Sequence, residues 1–427
     1  MNQILNKFKF KSEFFLLLKR NPAFYKLFIA NILSKVGTQM HRFGLPWIVY
    51  DITGSAQLMA VNFTISLIPG FIFGFIGGSL ADKYSRRNIL IIGDIFAAIF
   101  TFVIILLHFS SLDLKVEYLF FLTFILSAIN SLYQPAFQAG MSNLLEKDDI
   151  ITANGLFSVT QSFISLGGPV IAGFIIGIVG PWINIIINGL SFLISAILIL
   201  YINSKGFAVT QNNNKKPSFF SDIRICLDII KKTNWLLYGL LLTFGVYLGS
   251  GSVGSLIQYY LRETLHLEGA SFGISFALFE FIPMLLMGYY APMLGKKYQM
   301  EKLVLFGSLF YSISLIGIGL TTIYPIVILS GMLLNGAAVL ILVNWNTMVQ
   351  QRIPNEVLGR VSGVALTIQS LALPIGGGIS SYLVTMISPQ YVMIGFGLIT
   401  ALFVLFTFYM PFTSTNMQDQ HKKVSSL

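Results

Sequence analysis

Apolar stretches long enough to cross the ~30 Å hydrocarbon core of a bilayer as helices recur twelve times in these 427 residues. They fall at 23–50, 57–81, 88–107, 117–139, 151–178, 181–203, 234–261, 269–294, 302–321, 324–349, 358–385 and 389–411. The connections between them are too short to hold a soluble catalytic domain. Composition agrees: 55% of the residues are hydrophobic and only 10% are charged, against roughly 25% charged in soluble domains. The expected fold class is an all-α membrane protein with twelve transmembrane helices.

Lysine and arginine set the orientation. Every basic residue except Lys35, Arg42, Lys115 and Arg262 falls on segments that are cytoplasmic if both termini lie inside. The opposite orientation would invert the usual positive-inside bias. The net charge of +10 therefore reflects loops beside anionic lipid and calls for no nucleic-acid partner. The localisation expected is a cell membrane, and a bacterial cytoplasmic membrane in particular.

Residues 1–22 carry Lys7, Lys9 and Lys11 and then a short apolar run that ends at Lys19 and Arg20. That run is too short for a signal peptide and has no small-residue cleavage site, so an interfacial segment leading into the first span is expected. Cys226 is the single cysteine, which excludes an internal disulfide and argues against a cysteine-based metal site. No metal or other cofactor is expected.

The chain divides near its middle. Residues 204–233 open with a polar run from Gln211 to Pro217 and continue with Phe219, Ile223, Leu227 and Ile230 at helical spacing. That spacing predicts an amphipathic helix on the inner leaflet. Six spans precede this linker (23–203) and six follow it (234–411), with a tail at 412–427. The halves look like repeats. Leu145–Gly155 aligns with Ile353–Gly363, Pro169–Gly173 aligns with Pro374–Gly378, and Gly295, Lys296 and Lys297 stand where a second copy of the motif at 78–87 belongs.

That motif is Gly78, Leu80, Asp82, Lys83, Arg86 and Arg87, in a turn between the second and third spans. Gly78 lets a neighbouring helix approach closely, and Asp82 can face the positive N-terminal end of another helix. An ordinary basic loop is the alternative. The residues resemble the signature between helices 2 and 3 of the major facilitator superfamily, with Ser85 in place of its second glycine. The resemblance implies two pseudo-symmetric six-helix halves, a substrate bound between them near the midplane, and a conformational hinge at this loop.

Leu18–Phe28 before the first span, Leu45–Ser55 at its end and Tyr133–Phe137 in the fourth are similar to macrolide-efflux-type exporters, a branch that also includes siderophore exporters. Gly168, Pro169 and Gly173 fit the core of the antiporter signature of helix 5, with Ala172 at one glycine position. Their bearing is either on transport direction or on close packing against helix 8 alone. Drug:proton antiporters of this kind often carry an arginine in helix 4, where this chain has Leu126. The proton path of those relatives is therefore not transferable.

Charges inside the spans are the sharpest remaining clue. Asn31, Lys35, Thr38 and Arg42 share one face of the first helix, with Gln39 beside them. Burying either cation in lipid costs about 2.5–3.5 kcal/mol even on the lenient scale, so the stripe must face water or a counter-ion. Arg42 can alternatively reach the outer interface, and His41 points off the stripe. Glu280 stands near the middle of the eighth span. A lone carboxylate there is either protonated or paired with a cation, which suits proton coupling, although a static ion pair with Lys35 or Arg42 is the competing account. Asp94, two turns into the third span, is the second proton-coupling candidate and is also placed to support the loop at Asp82 and Arg86. Asn130, Tyr133, Gln134, Tyr247, Gln258, Tyr259, Asn335, Asn344 and Trp345 are candidates for lining a substrate cavity.

No enzymatic constellation survives. His108 and Asp113 spell an acyltransferase pattern in a short outer loop with no fold around it, no phosphate-binding loop occurs, and no cluster has metal-ligand spacing. The function expected is proton-coupled efflux of amphiphilic drugs such as macrolides by alternating access, by a monomer in the lipid bilayer. The two cations of the first span favour an alternative substrate, an anionic metabolite such as a carboxylate siderophore, or a lysophospholipid. A membrane enzyme is the different-class alternative.

Overall fold

The computed structural model describes residues 16–110, 114–203, 227–353 and 355–410. The segment at 1–15, most of the linker, Asp113 and the tail lie outside the described residues. The helix expected around 219–231 is described from 227 to 232, which is helical.

Twelve long helices are found among the described residues. They are α1 (Pro22–Thr53), α2 (Ala56–Lys83), α3 (Arg86–Phe109), α4 (Val116–Leu144), α5 (Lys147–Val179), α6 (Trp182–Leu200), α7 (Asn234–Tyr259), α8 (Gly269–Lys297), α9 (Met300–Leu320), α10 (Tyr324–Arg352), α11 (Asn355–Leu383) and α12 (Pro389–Tyr409). One π-helical turn, Tyr260–Thr264, extends α7. No strand occurs among the described residues. Ten of the helices are long and apolar enough to cross a membrane, and α2 is apolar over Ala56–Gly70. The polar and charged stripe from Asn31 to Arg42 dilutes the hydropathy of α1.

Local chemistry sets the helix ends. Asn21 caps α1: its Oδ1 accepts from the Phe24 N–H at 3.0 Å, while its Nδ2 donates to the Leu144 carbonyl at the end of α4 at 2.6 Å. Pro22 then stands at the first helical position, where its missing N–H costs nothing. Gly54 ends α1 in the left-handed region at φ 61°, and its N–H bonds the Tyr50 carbonyl at 2.7 Å.

The helices gather into two compact units. The first comprises the described residues of Met1–Gly54, Ile65–Asn212 and Glu268–Ile274. In it α1 packs along α6 and against α5 and α4, and α3 packs on α4 and α6. Phe24, Phe28, Tyr133, Phe137 and Phe157 form its aromatic core near one end. The second unit comprises the described residues of Ser55–Thr64, Asn213–Leu267 and Ser275–Leu427. In it α7 packs along α11 and α12, and α9 packs on α10 and α12. Trp235, Tyr260 and Tyr311 are its largest fully buried side chains.

Each unit takes in a short piece from beyond its own six-helix run, for a steric reason. Gly269 and Gly273 at the start of α8 lie against Gly173 and Gly177 of α5, so the first turns of α8 belong to the first unit. Phe63 of α2 covers Gly254 of α7, and Thr64 lies beside Gly377 of α11 in the second.

Candidate functional site

A cavity of about 180 Å³ lies inside the second unit, among α7, α8, α10 and α11. Its polar wall is Thr243, Tyr247, Ser250, Glu280, Asn335, Trp345 and Gln369; aliphatic side chains and Met284 make up the rest. Four residues singled out by sequence, Tyr247, Glu280, Asn335 and Trp345, thus meet around one space. Helical geometry explains the grouping. Thr243, Tyr247 and Ser250 recur at intervals of four and three on α7, and Asn335, Ala338, Leu342 and Trp345 recur likewise on α10.

Hydrogen bonds hold this wall in register. Asn335 donates through Nδ2 to the Phe279 carbonyl at 2.9 Å and the Gly331 carbonyl at 3.2 Å, tying α10 to α8 one residue before Glu280. Gln369 of α11 donates to the Thr243 hydroxyl of α7 at 2.7 Å. Ser250 and Tyr311 are bonded at 2.9 Å. Glu280 is part-buried and also interacts with another group of the chain. Thr243, Ser250 and Gln369 were not among the residues expected from sequence. A threonine, serine or glutamine in an apolar helix is common enough in packing to give no distinctive signal.

Other candidates go elsewhere. Asn344 is buried, with Nδ2 on the Leu340 carbonyl at 2.8 Å. Gln258 is buried and Tyr259 part-buried at the end of α7, away from the cavity wall. In the first unit Asn130 is exposed and accepts from Gln134 at 3.3 Å, whereas Tyr133 turns inward to stack on Phe137 at 6.2 Å. Tyr133 therefore belongs to the packed core rather than to an open face.

The stripe on α1 is graded: Asn31 is buried, Lys35 and Gln39 are part-buried, and Thr38 and Arg42 are exposed. Thr38 donates back to the Ser34 carbonyl at 2.8 Å. The Gln39 side chain lies over Gly168 of α5, where a Cβ would come within 3.0 Å of it, and its Oε1 is buried without a hydrogen-bond partner. Lys35 belongs to the first unit and Glu280 to the second. His41 keeps a buried Nδ1 that has no partner.

The loop between α2 and α3 works through backbone capping. Arg86 donates from Nε to the Ala81 carbonyl at 3.3 Å and from Nη1 to Ala139 of α4 at 3.1 Å. Arg87 donates to the last carbonyls of α6, Leu200 at 2.6 Å and Ile199 at 3.4 Å. A guanidinium at a helix C-terminus is favoured by both the free carbonyls and the macrodipole. Lys83 is exposed. The backbone at Gly78 and Asp82 is helical, and the Asp82 side chain lies outside the described set. Two turns further along α3, Asp94 is buried and accepts a hydrogen bond from Ser195 of α6 at 2.6 Å. On α5 the Pro169 carbonyl and Gly173 face Gly273 and Gly269 at backbone contact. Among the described residues no His, Cys, Asp and Glu cluster suits a metal ion.

A family model described as transmembrane secretion effector matches residues 17–425. The macrolide efflux protein A of Streptococcus pyogenes is 24% identical over 373 residues, which cover 83% of this chain and 87% of that protein. The macrolide efflux protein A of Enterococcus faecalis is 25% identical over 338 residues, or 76% of this chain and 99% of that one. Among solved structures, the nucleoside transporter NupG superposes with a TM-score of 0.74 at 13% identity, covering 90% of this chain and 99% of that one. At that identity the likeness is one of fold.

Proposed function

We propose that this chain, which belongs to the transmembrane secretion effector family of the major facilitator superfamily, is a secondary active exporter of amphiphilic compounds that works by alternating access. That it is a multi-pass membrane transporter follows from the family and the twelve helices. The finer reading is carried by one observation. A part-buried carboxylate, Glu280, shares a small cavity with Tyr247, Trp345 and Asn335 in the middle of the second unit. Apolar walls with a few convergent polar groups are what small-molecule sites are made of. The relatives named for macrolide efflux support the drug class and the direction.

In this reading the protein sits in the cell membrane as a monomer with both termini in the cytoplasm. Protons are the coupling ion, with Glu280 and Asp94 as the groups that carry them. Arg86 and Arg87 govern exchange between conformations. A second reading, export of an anionic metabolite, rests on the cationic stripe of Lys35 and Arg42 on α1. Accumulation of radiolabelled macrolide in cells with and without the gene, each with and without an uncoupler, tests the proposal. Lower accumulation that depends on the gene and vanishes with the uncoupler is the expected result. Equal accumulation in all arms would turn attention to the anionic substrates.

A further inference from the structure

We infer that Arg352, which lies outside the cavity of the second unit, is a positioning residue for it: through the ring of Trp235 it holds the Trp345 indole that closes one end of the space. The inference rests on the reading of that cavity as a substrate site. Trp345 is the last residue that α10 contributes to the wall. Behind it stands a stack. Trp235, in the first turn of α7, packs on Trp345 with ring centroids 6.3 Å apart and planes inclined at 59°. The guanidinium carbon of Arg352 stands 5.2 Å from the centroid of the Trp235 ring. Arg352 in turn donates from Nη2 to the carboxylate of Glu301 on α9. Both indoles are buried, and the two charged side chains are part-buried.

Spacing along the helices makes this chain of contacts possible. Trp345 and Arg352 are seven residues apart, two turns on one side of α10 and about 10 Å along it. Arg352 stands in the last turn of α10 and Glu301 in the first turn of α9, each where the helix macrodipole favours its charge. The backbone around Trp345 is held separately: a Cβ on Gly295 of α8 would come within 2.4 Å of the Asn344 Oδ1. What is left to fix is the indole. A ring beside an open space has packing atoms on one side only, so its rotamer is set from behind. There the negative face of Trp235 attracts the guanidinium, and Glu301 keeps the guanidinium from turning away. A lysine would satisfy Glu301 without the flat stack, and an apolar side chain would stack without a partner on α9. Arginine does both.

The test uses the full chain in lipid nanodiscs, with its four tryptophans replaced biosynthetically by 5-fluorotryptophan. The Trp345 fluorine resonance is assigned from its loss in Trp345→Phe. Arg352→Gln should shift or broaden that resonance, while those of Trp47 and Trp182, in the first unit, stay fixed. Arg352→Lys should act in the same direction by less, and it carries the test if Arg352→Gln does not fold. The double exchange of Glu301→Arg with Arg352→Glu separates positioning from a simple staple between α9 and α10. It restores an ion pair but sets a carboxylate against the negative face of the Trp235 ring. Thermal stability should return toward that of the parent while the Trp345 resonance stays displaced. Radiolabelled erythromycin is the binding probe on the same samples. Its Kd should rise about three- to tenfold in Arg352→Gln, because a loosened indole must be ordered again on binding. An unmoved Trp345 resonance in a folded single variant, or its full return in the exchange, overturns the assignment. A displaced resonance with unchanged erythromycin affinity, or a parent that binds no erythromycin, would count against this cavity as the export site and leave the role of Arg352 standing on the fluorine signal.

Discussion

Ser195 of α6 donates its hydroxyl hydrogen to Asp94 of α3 over 2.6 Å, in a place where both side chains are buried. A buried carboxylate accepting a short hydrogen bond is a stronger contact than a neutral pair, and removing one partner leaves the other to bear its desolvation. Side-chain bonds across membrane helices average below 1 kcal/mol, because the unfolded helices find partners of their own. Ser195→Ala should therefore lower stability by about 1 kcal/mol, and Ser195→Ala on an Asp94→Leu background by much less. Thermal unfolding of the four proteins of that cycle measures the coupling. Additive losses would mean that the bond contributes nothing beyond packing.

Backbone contact on α5 makes an equally sharp steric prediction. A Cβ on Gly173 would stand 2.6 Å from the Gly269 carbonyl oxygen and 2.9 Å from Gly273, whereas one on Gly167 would meet nothing nearer than Ile171 at 3.9 Å. Gly173→Ala should cost roughly 1–3 kcal/mol through overpacking and lower transport. Gly167→Ala, in the same helix, should be neutral or slightly stabilising, since alanine is the better helix former. Equal melting temperatures for the two variants would show that α5 and α8 separate easily.

Arg86 spans two carbonyls, Ala81 and Ala139, with two different nitrogens. Lysine keeps the charge and loses the fork. Arg86→Lys should slow transport several-fold while leaving the equilibrium binding of substrate within about twofold, because the cavity of the second unit contains no part of this loop. Rapid-quench flux and binding on the same reconstituted sample separate the two quantities. A large loss of affinity with normal turnover would reassign Arg86 to substrate binding.

Much of this organisation can be read from the chain before any coordinates. Hydropathy locates all twelve helices, since the bilayer demands long uninterrupted apolar segments. Their ends are less legible, because hydropathy marks what lies in lipid and not what is helical. The expectation at 151–178 misses the first turn of α5, which starts at Lys147, and that at 23–50 stops short of Gly54, whose left-handed conformation ends α1. Glu280 stands out because a charge in an apolar run is costly. Its companions are harder to find. Asn344 and Trp345 are adjacent in sequence yet 100° apart around α10, and only Trp345 lines the cavity. Gln369 enters through a hydrogen bond to Thr243, 126 residues away, a relation that no local pattern encodes.

Orientation is open to a direct check. In a background where Cys226 is replaced by serine, a cysteine at exposed Tyr298, between α8 and α9, should react with a membrane-impermeant maleimide only after the cells are opened. A cysteine at exposed Ser110, after α3, should react in intact cells. This is what the positive-inside distribution demands, and the reverse pattern would overturn it.

Coupling gives the most demanding prediction. Coupling requires that proton and substrate change each other's affinity by the same factor, and the simplest device is one acceptor that both must use. Glu280 lines the cavity with Asn335 and Trp345, so a proton on its carboxylate and a substrate beside it act on the same group. Entry of the proton from the outer side would then release the substrate, and release of the proton inside would restore the site. Glu280→Gln holds the permanently neutral state. It should abolish accumulation against a gradient driven by a pH difference across proteoliposomes, while downhill exchange persists, because the movement of the helices itself needs no proton. If the variant still concentrates substrate with an unchanged dependence on the pH difference, Glu280 serves only as a partner for another group of the chain. Asp94 would then be the next carboxylate to replace, with Asp94→Asn read in the same assay.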